Sequence, residues 1–220
     1  MVTHISVDLE TWGTEPGCDL RSIGAVVFSS HGSNDGGGWT GTLQGEEAFY
    51  MATNNPAVQK PFGFFDGIQC NRKYPLRRDV RTAAWWAEQS EEAQMAFDSP
   101  EDLHEVLRLF GKWLRSVSPI KDYYDIGEHE RKFPNDVALW FKGSHFDEPI
   151  LKAAYKAVGL PVPWHYRAPR DVRASLDTAN MSQVVEQRGV LHNALDDAIS
   201  QAHAIIKAYR KVGSTTAFGE

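Results

Sequence analysis

The 220-residue chain has a formal net charge of −6, with 42% apolar and 24% charged residues, the balance of an ordinary globular domain. No run of about eighteen apolar residues exists, so no membrane span is readable, and the first residues enter a strand without a charged-then-apolar leader. Two cysteines, Cys18 and Cys70, make neither a disulfide framework nor a zinc pattern and favour a reducing, cytoplasmic setting; the negative balance requires any polyanionic partner to be held by local basic patches and ions.

Residues 4–10 alternate, with Ile5, Val7 and Leu9 on one side and Ser6, Asp8 and Glu10 on the other. That period of two predicts a β-strand whose two carboxylates share a face. Like charges so close repel, and burial raises the cost, so a cation is expected between them unless the strand is an edge with a solvated face. A loop over 11–22 follows. Residues 23–28 (Ile-Gly-Ala-Val-Val-Phe) read as a second, buried strand, antiparallel to the first. Residues 29–38 have turn chemistry and 39–43 are compatible with a third strand. Residues 44–80, with Pro56, Pro61 and Pro75, show no clean period and read as an irregular insertion or arm.

Helical signals begin near Val80 and cover 83–89 and 91–97 as one interrupted helix or two short ones. Ser99 as N-cap and Pro100 at the first helical position predict the start of a longer helix with Leu103, Val106, Leu107, Phe110, Leu114 and Val117 as its apolar stripe. Residues 119–136 are charged and loop-like. Residues 137–141 (Val-Ala-Leu-Trp-Phe) read as a buried strand, and 146–158 as a helix with Pro149 in its first turn and Gly159 as its stop. An Arg-rich segment spans 167–173, and a last long helix runs from about 192 to 209. Strands first, then helices alternating with a further strand, imply a mixed sheet flanked by helices.

Three stretches carry chemistry: Asp8-Leu9-Glu10, the segment from Gly143 to Asp147, and the segment from His192 to Asp197. Singly, each has a plain explanation. Asp147 is suited to cap its helix, and His192, Asp196 and Asp197 suit a helix start. Together and in this order they resemble the DEDDh branch of the DnaQ-like 3′–5′ exonucleases. Residues 137–150, the Trp85-Trp86 pair with Gln89, and the segment 170–173 are similar, more narrowly, to the exoribonuclease family that includes a mycobacterial enzyme and a phage DNA exonuclease.

The resemblance implies a ribonuclease H-like α/β fold, a mixed five-stranded sheet flanked by helices, here with an irregular insertion after the third strand in a single domain. It implies Asp8, Glu10, Asp147 and Asp197 as ligands of two Mg²⁺ ions, Mn²⁺ able to substitute, and His192 as general base. Spacing from His192 favours Asp197 over Asp196. Thr11 and Trp12, in the loop after the first strand, would border the terminal nucleotide, and His145 is a further candidate contact. The implied substrate is RNA or single-stranded DNA with a free 3′-hydroxyl, shortened to nucleoside 5′-monophosphates, with RNA slightly favoured. A homodimer is also implied. The alternatives are a nucleic-acid-binding protein without turnover and an oligonucleotide-specific phosphodiesterase.

The chemistry of the residues agrees with that implication. An all-carboxylate donor set selects hard divalent ions over zinc, and histidine, as the side chain whose unperturbed pKa is about 6.5, is the residue type suited to proton removal near neutral pH. Residues 72–81 hold five basic residues against one acid, with Tyr74 among them. Arg77 and Arg78 there, and Arg167, Arg170 and Arg173 in a second cluster, are candidate strand contacts, with a solvated surface as the other reading. For Trp85 and Trp86 burial is the simpler reading, one of the pair being free to face the cleft.

Overall fold

The opening alternation forms the strand through the middle of the sheet. The computed structural model describes residues 2–28, 43–56, 64–65, 68–69, 73–118 and 137–216. Its elements are β1 (Thr3–Thr11), β2 (Leu20–Phe28), β3 (Leu43–Asn54), β4 (Phe64–Phe65), β5 (Ile68–Gln69), β6 (Arg78–Asp79), α1 (Val80–Ala87), α2 (Glu91–Met95), β7 (Glu101–Asp102), α3 (Leu103–Val117), β8 (Val137–Phe141), α4 (Asp147–Val158), β9 (Pro169–Asp171), α5 (Val172–Thr178) and α6 (Ala194–Thr216). The main sheet has the order β7-β3-β2-β1-β8-β9. The hairpins β1–β2 and β2–β3 are antiparallel, whereas β1–β8 and β8–β9 are parallel. This is the expected mixed five-stranded sheet, with the two-residue β7 added at the β3 edge.

Each face of the sheet has its own core, and β1 divides them by residue parity. Ile5, Val7 and Leu9 pack with Ile23, Ala25 and Val27 under Leu103, Val106, Leu107 and Phe110 of α3 and Ile150, Leu151 and Ala154 of α4. On the other face Val26, Phe28, Ala138 and Trp140 pack beneath Val172 and Leu176 of α5 and Ala198, Ala202, Ile205 and Ile206 of α6. Residues 4, 6, 8 and 10 of β1 therefore look toward α6. Burying a large aliphatic side chain contributes about 1.5–3 kcal/mol, so these two layers fix the register, and a one-residue slip would put the acids into the α3–α4 core.

Several expectations change. The third strand runs from Leu43 through Asn54, so the expected irregular insertion does not begin at residue 44; residues 29–42, 57–63, 66–67, 70–72 and 119–136 lie outside the described residues. Phe49 and Ala52 are buried on opposite faces, which erased the alternation. The described residues of the expected arm include a three-stranded sheet β4-β5-β6. Ser99 does not cap α3: it has a positive φ of 58°, while Glu101 and Asp102 pair with Thr53 and Asn54 and Asp102 caps the helix by accepting from His104 N. The Arg-rich segment contains the edge strand β9 and leads into α5. Among the described residues no helix is long and apolar enough to cross a membrane.

Candidate active site

Three elements converge at one end of β1. Asp8 and Glu10 occupy the α6-facing side of β1, paired with Gly24 and Ser22 of β2. At Gly24 the start of α6 lies against the strand: a Cβ there would stand 2.1 Å from the carbonyl carbon of Ala194 and 2.2 Å from Leu195 N. Only glycine permits that approach, which sets the first turn of α6, and with it Asp197, over the two acids. Asn193 caps this turn, its Oδ1 accepting from Leu195 N at 3.0 Å and Asp196 N at 3.3 Å.

The third element is the β8–α4 turn. Gly143 has a φ of 105°, and Ser144 N donates to Asp171 Oδ2 at 2.7 Å, tying the turn to the N-terminus of α5. Phe146 stands at the cap position of α4 without a side-chain cap bond, and Asp147, 4% exposed, is the first helical residue. Its carboxylate lines a cavity of about 460 Å³ together with Asp8, Glu10, Lys142, His145, Arg173, Gln187, His192, Asp197 and Gln201. Asp196 turns away, accepting from Val190 N at 2.7 Å, so the two adjacent acids have separate surroundings.

The electrostatics follow from this crowding. Asp8 is raised well above the usual carboxylate range by burial and by the charges of Glu10, Asp147 and Asp197. Glu10 is pushed up to about 9 by burial and then Asp197, with Arg21 pulling the other way. Asp147 is pushed up to about 8 by burial, opposed by Arg173. Asp197 is raised by burial, opposed by its hydrogen bond from Gln187 Nε2 at 2.7 Å. Four acids that resist ionising side by side lack sufficient positive charge among the described residues. Their oxygen donors fit divalent cations. Donor atoms of Glu10, His192 and Asp197 lie within 4.8 Å of one another.

His192 stands two residues before α6 with a φ of 65°, and its backbone N donates to Asp197 Oδ2 at 3.3 Å. Its ring meets Trp85 and Trp86 edge-on, at centroid distances of 4.9 and 5.9 Å, so aromatic packing holds it in place. The tryptophans divide: Trp86 is 3% exposed and donates from Nε1 to Thr11 O at 2.8 Å, while Trp85 is 41% exposed. Both line a second cavity of about 420 Å³ with Thr11, Arg81 and Thr82, which shares Leu9, Glu10 and Phe146 with the first. Arg21 is enclosed by aromatic rings, its guanidinium carbon 4.5, 4.0 and 3.6 Å from the ring centroids of Trp12, Trp86 and Phe97.

The remaining sequence candidates separate. Thr11 and His145 line the cleft, whereas Trp12 is not among the described lining residues: the guanidinium carbons of Arg21 and Arg78 each lie 4.5 Å from its ring centroid. Arg78 is tied into the fold, its Nε 2.8 Å from Oδ2 of the fully buried Asp19. Arg77 is exposed and donates to Pro16 O at 3.3 Å, away from both cavities. Arg170 bonds the carbonyls of Arg167, Ala168 and Pro169 and lines a separate cavity beside Trp140 and Tyr209. Arg173, from the same cluster, lines the acid cavity instead. Gly24, Arg21, Gln187 and Gln201 escaped the sequence reading. A lone glycine in a buried strand was a signal for Gly24, and the four-residue spacing from Asp197 was one for Gln201.

A family model for the 3′-5′ exoribonuclease Rv2179c-like domain matches residues 3–208. No curated protein matches the chain. The nuclease domain of 3′hExo, a DEDDh family member solved bound to rAMP, is 16% identical with a TM-score of 0.50, over 93% of this chain and 90% of that one. Cell-death related nuclease 4 is 13% identical with a TM-score of 0.50, over 93% of this chain; the chain spans 62% of that nuclease. These structures share the fold, a sheet flanked by helices as in ribonuclease H-like nucleases. With the model covering β1, the β8–α4 turn and the start of α6, the chain belongs to the 3′-5′ exoribonuclease Rv2179c-like family and is a 3′-5′ exonuclease.

Proposed function

We propose that the protein is a divalent-metal-dependent exonuclease that removes nucleoside 5′-monophosphates from the 3′ end of single-stranded nucleic acid or of a short 3′ overhang, with RNA slightly favoured over DNA. The observation that carries this reading is the convergence of Asp8, Glu10, Asp147 and Asp197, from three separate elements, on one cavity beside His192. The four carboxylates would hold two Mg²⁺ ions, with Mn²⁺ able to substitute; when bound, such ions activate water and offset charge on the departing 3′-oxygen.

The residues of the chain supply the rest. His192, packed on two indoles at the cavity wall, takes the proton of the attacking water through its imidazole. Lys142 and Arg173 line the same cavity beside Asp197 and Asp147 and attract the phosphodiester. The adjoining cavity, with Thr11 and the exposed face of Trp85, receives the terminal nucleoside, where an aromatic surface accepts any base. His145, on the exposed α4 turn, borders the path of the strand. The site acts in the cytoplasm on a free 3′-hydroxyl, in a chain that pairs as a homodimer.

Side-by-side digestion of matched RNA and DNA strands tests this reading, each carrying a 3′-hydroxyl or a 3′-phosphate. RNA with a 3′-hydroxyl should be shortened fastest in Mg²⁺ or Mn²⁺, and the 3′-phosphate should block. Binding without shortening in either metal would replace this reading with a nucleic-acid-binding role.

A further inference from the structure

We propose that Gln201 is the positioning residue of Asp8: by donating to one carboxylate oxygen it presents the other to the divalent ion. The inference rests on the two-ion reading above and goes beyond it by assigning a part to a residue outside the four acids and the histidine. Gln201 is 3% exposed and lines the acid cavity. Its Nε2 donates to Asp8 Oδ1 at 2.7 Å. Oδ2 has no hydrogen bond among those described. Gln201 follows Asp197 by four residues, so both project from the same face of α6, and one helical face carries a carboxylate and the amide that orients a second carboxylate on β1.

Two features separate this from ordinary helix docking. The contact of α6 with the sheet is already made by Ala198, Ala202, Ile205 and Ile206, all buried and apolar. The amide itself sits poorly for stability alone, because its Oε1 is buried with no hydrogen-bond partner among the described residues. A methionine or leucine would fill that place without an orphaned acceptor, and a buried polar group that breaks the rule calls for a functional account. The choice of amide is also informative. A lysine or arginine at this position would pair with Asp8 and compete with a cation for its charge. A neutral donor fixes the orientation of the carboxylate and leaves its full charge for the ion. Donors that hydrogen-bond a metal ligand from behind commonly change metal affinity about 10- to 100-fold when removed.

The test is calorimetric titration of Mn²⁺ into wild type, Gln201→Met, Gln201→Asn and Asp8→Asn, with metal-free thermal melts and the metal-concentration dependence of the rate. Gln201→Met keeps the volume and removes both polar atoms. Gln201→Asn keeps the amide one methylene too short to reach Asp8. Both should bind Mn²⁺ about 10- to 100-fold more weakly, need correspondingly more metal for half-maximal rate, and recover to within a few-fold of wild-type kcat at saturation. Metal-free Gln201→Met should melt no lower than wild type. Wild-type metal affinity in either folded variant would overturn the inference, as would a lowered melting temperature of Gln201→Met with affinity intact. Failure of wild type itself to bind Mn²⁺ would overturn the two-ion reading, and the inference with it. Binding by wild type but not by Asp8→Asn keeps that reading standing independently of Gln201.

Discussion

Gly24→Ala offers a probe of how the site is held together, because the residue carries no reacting group of its own. The new Cβ would stand 2.1 Å from the backbone of Ala194, against an ordinary contact of 3.4 Å or more, so strand and helix must separate by about 1.3 Å. β2 lies between β1 and β3 and is hydrogen-bonded on both sides, so the start of α6 has to give way. That turn carries Asp197 and lies just beyond His192. A 1 Å misplacement of catalytic groups costs about 10²-fold in rate, and overpacking a core costs about 1–3 kcal/mol. The variant should therefore stay folded, lose about 1–3 kcal/mol in urea melts, and lose about two orders of magnitude in kcat. In an exposed or loosely packed strand the same change would be neutral or slightly stabilising, since alanine constrains the unfolded chain. Near-normal kcat at unchanged stability would refute the close approach of α6 to β2 and its role in placing Asp197.

Asp147→Asn should abolish turnover and, without metal, stabilise the fold in a pH-dependent way. The folded-state pKa of Asp147, about 8, lies above its ordinary value of 3.8, so the folded state holds a proton that the unfolded chain releases, and metal-free stability falls as pH rises between those values. The melting temperature of the variant minus that of wild type should grow from pH 5 to 8 in EDTA; a difference that shrinks would contradict the burial argument. His192→Ala should cut the rate by about 10² to 10⁴ and keep metal binding, whereas Asp197→Ala should weaken both; calorimetry beside single-turnover rates decides, and equal loss of metal affinity would make His192 a ligand. Arg78→Ala should cost about 3 kcal/mol in urea melts, because it removes a guanidinium bonded to the buried carboxylate of Asp19, while Arg77→Ala should be nearly neutral. Weaker binding of long strands by Arg77→Ala, with dinucleotide cleavage unchanged, would return Arg77 to the substrate path.

What the sequence discloses depends on range. The alternation of residues 4–10, the apolar run of 137–141 and the helical stripes are local, and each produced its element. Asp147 and Asp197 are legible because each opens a helix at a recognisable spacing from its neighbours. The extent of β3 was hidden because helices cover both of its faces and its alternation is lost. The start of α3 was misplaced because Ser99-Pro100 imitates a cap, while pairing of residues 101–102 with the end of β3 delays the helix. The supporting residues are hidden for a different reason: Gln201 meets Asp8 across 193 residues, Trp86 meets Thr11 across 75, and the rings around Arg21 come from a loop and two further segments. Arg78 and Arg170 show the converse. A basic cluster looks alike in sequence whether its charges face a substrate, a buried aspartate or neighbouring carbonyls.

The central claim is that four carboxylates from three elements act as one centre for hydrolysis at a 3′ end. The most direct measurement is single-turnover digestion of a 5′-labelled RNA strand by wild type and by Asp147→Asn, in Mg²⁺ and in EDTA, with the products resolved by length. The account predicts a ladder shortened one nucleotide at a time from the 3′ end, seen only for wild type with Mg²⁺, and release of nucleoside 5′-monophosphates. Early release of the 5′ label as a mononucleotide, internal cuts, or equal activity of Asp147→Asn would contradict it.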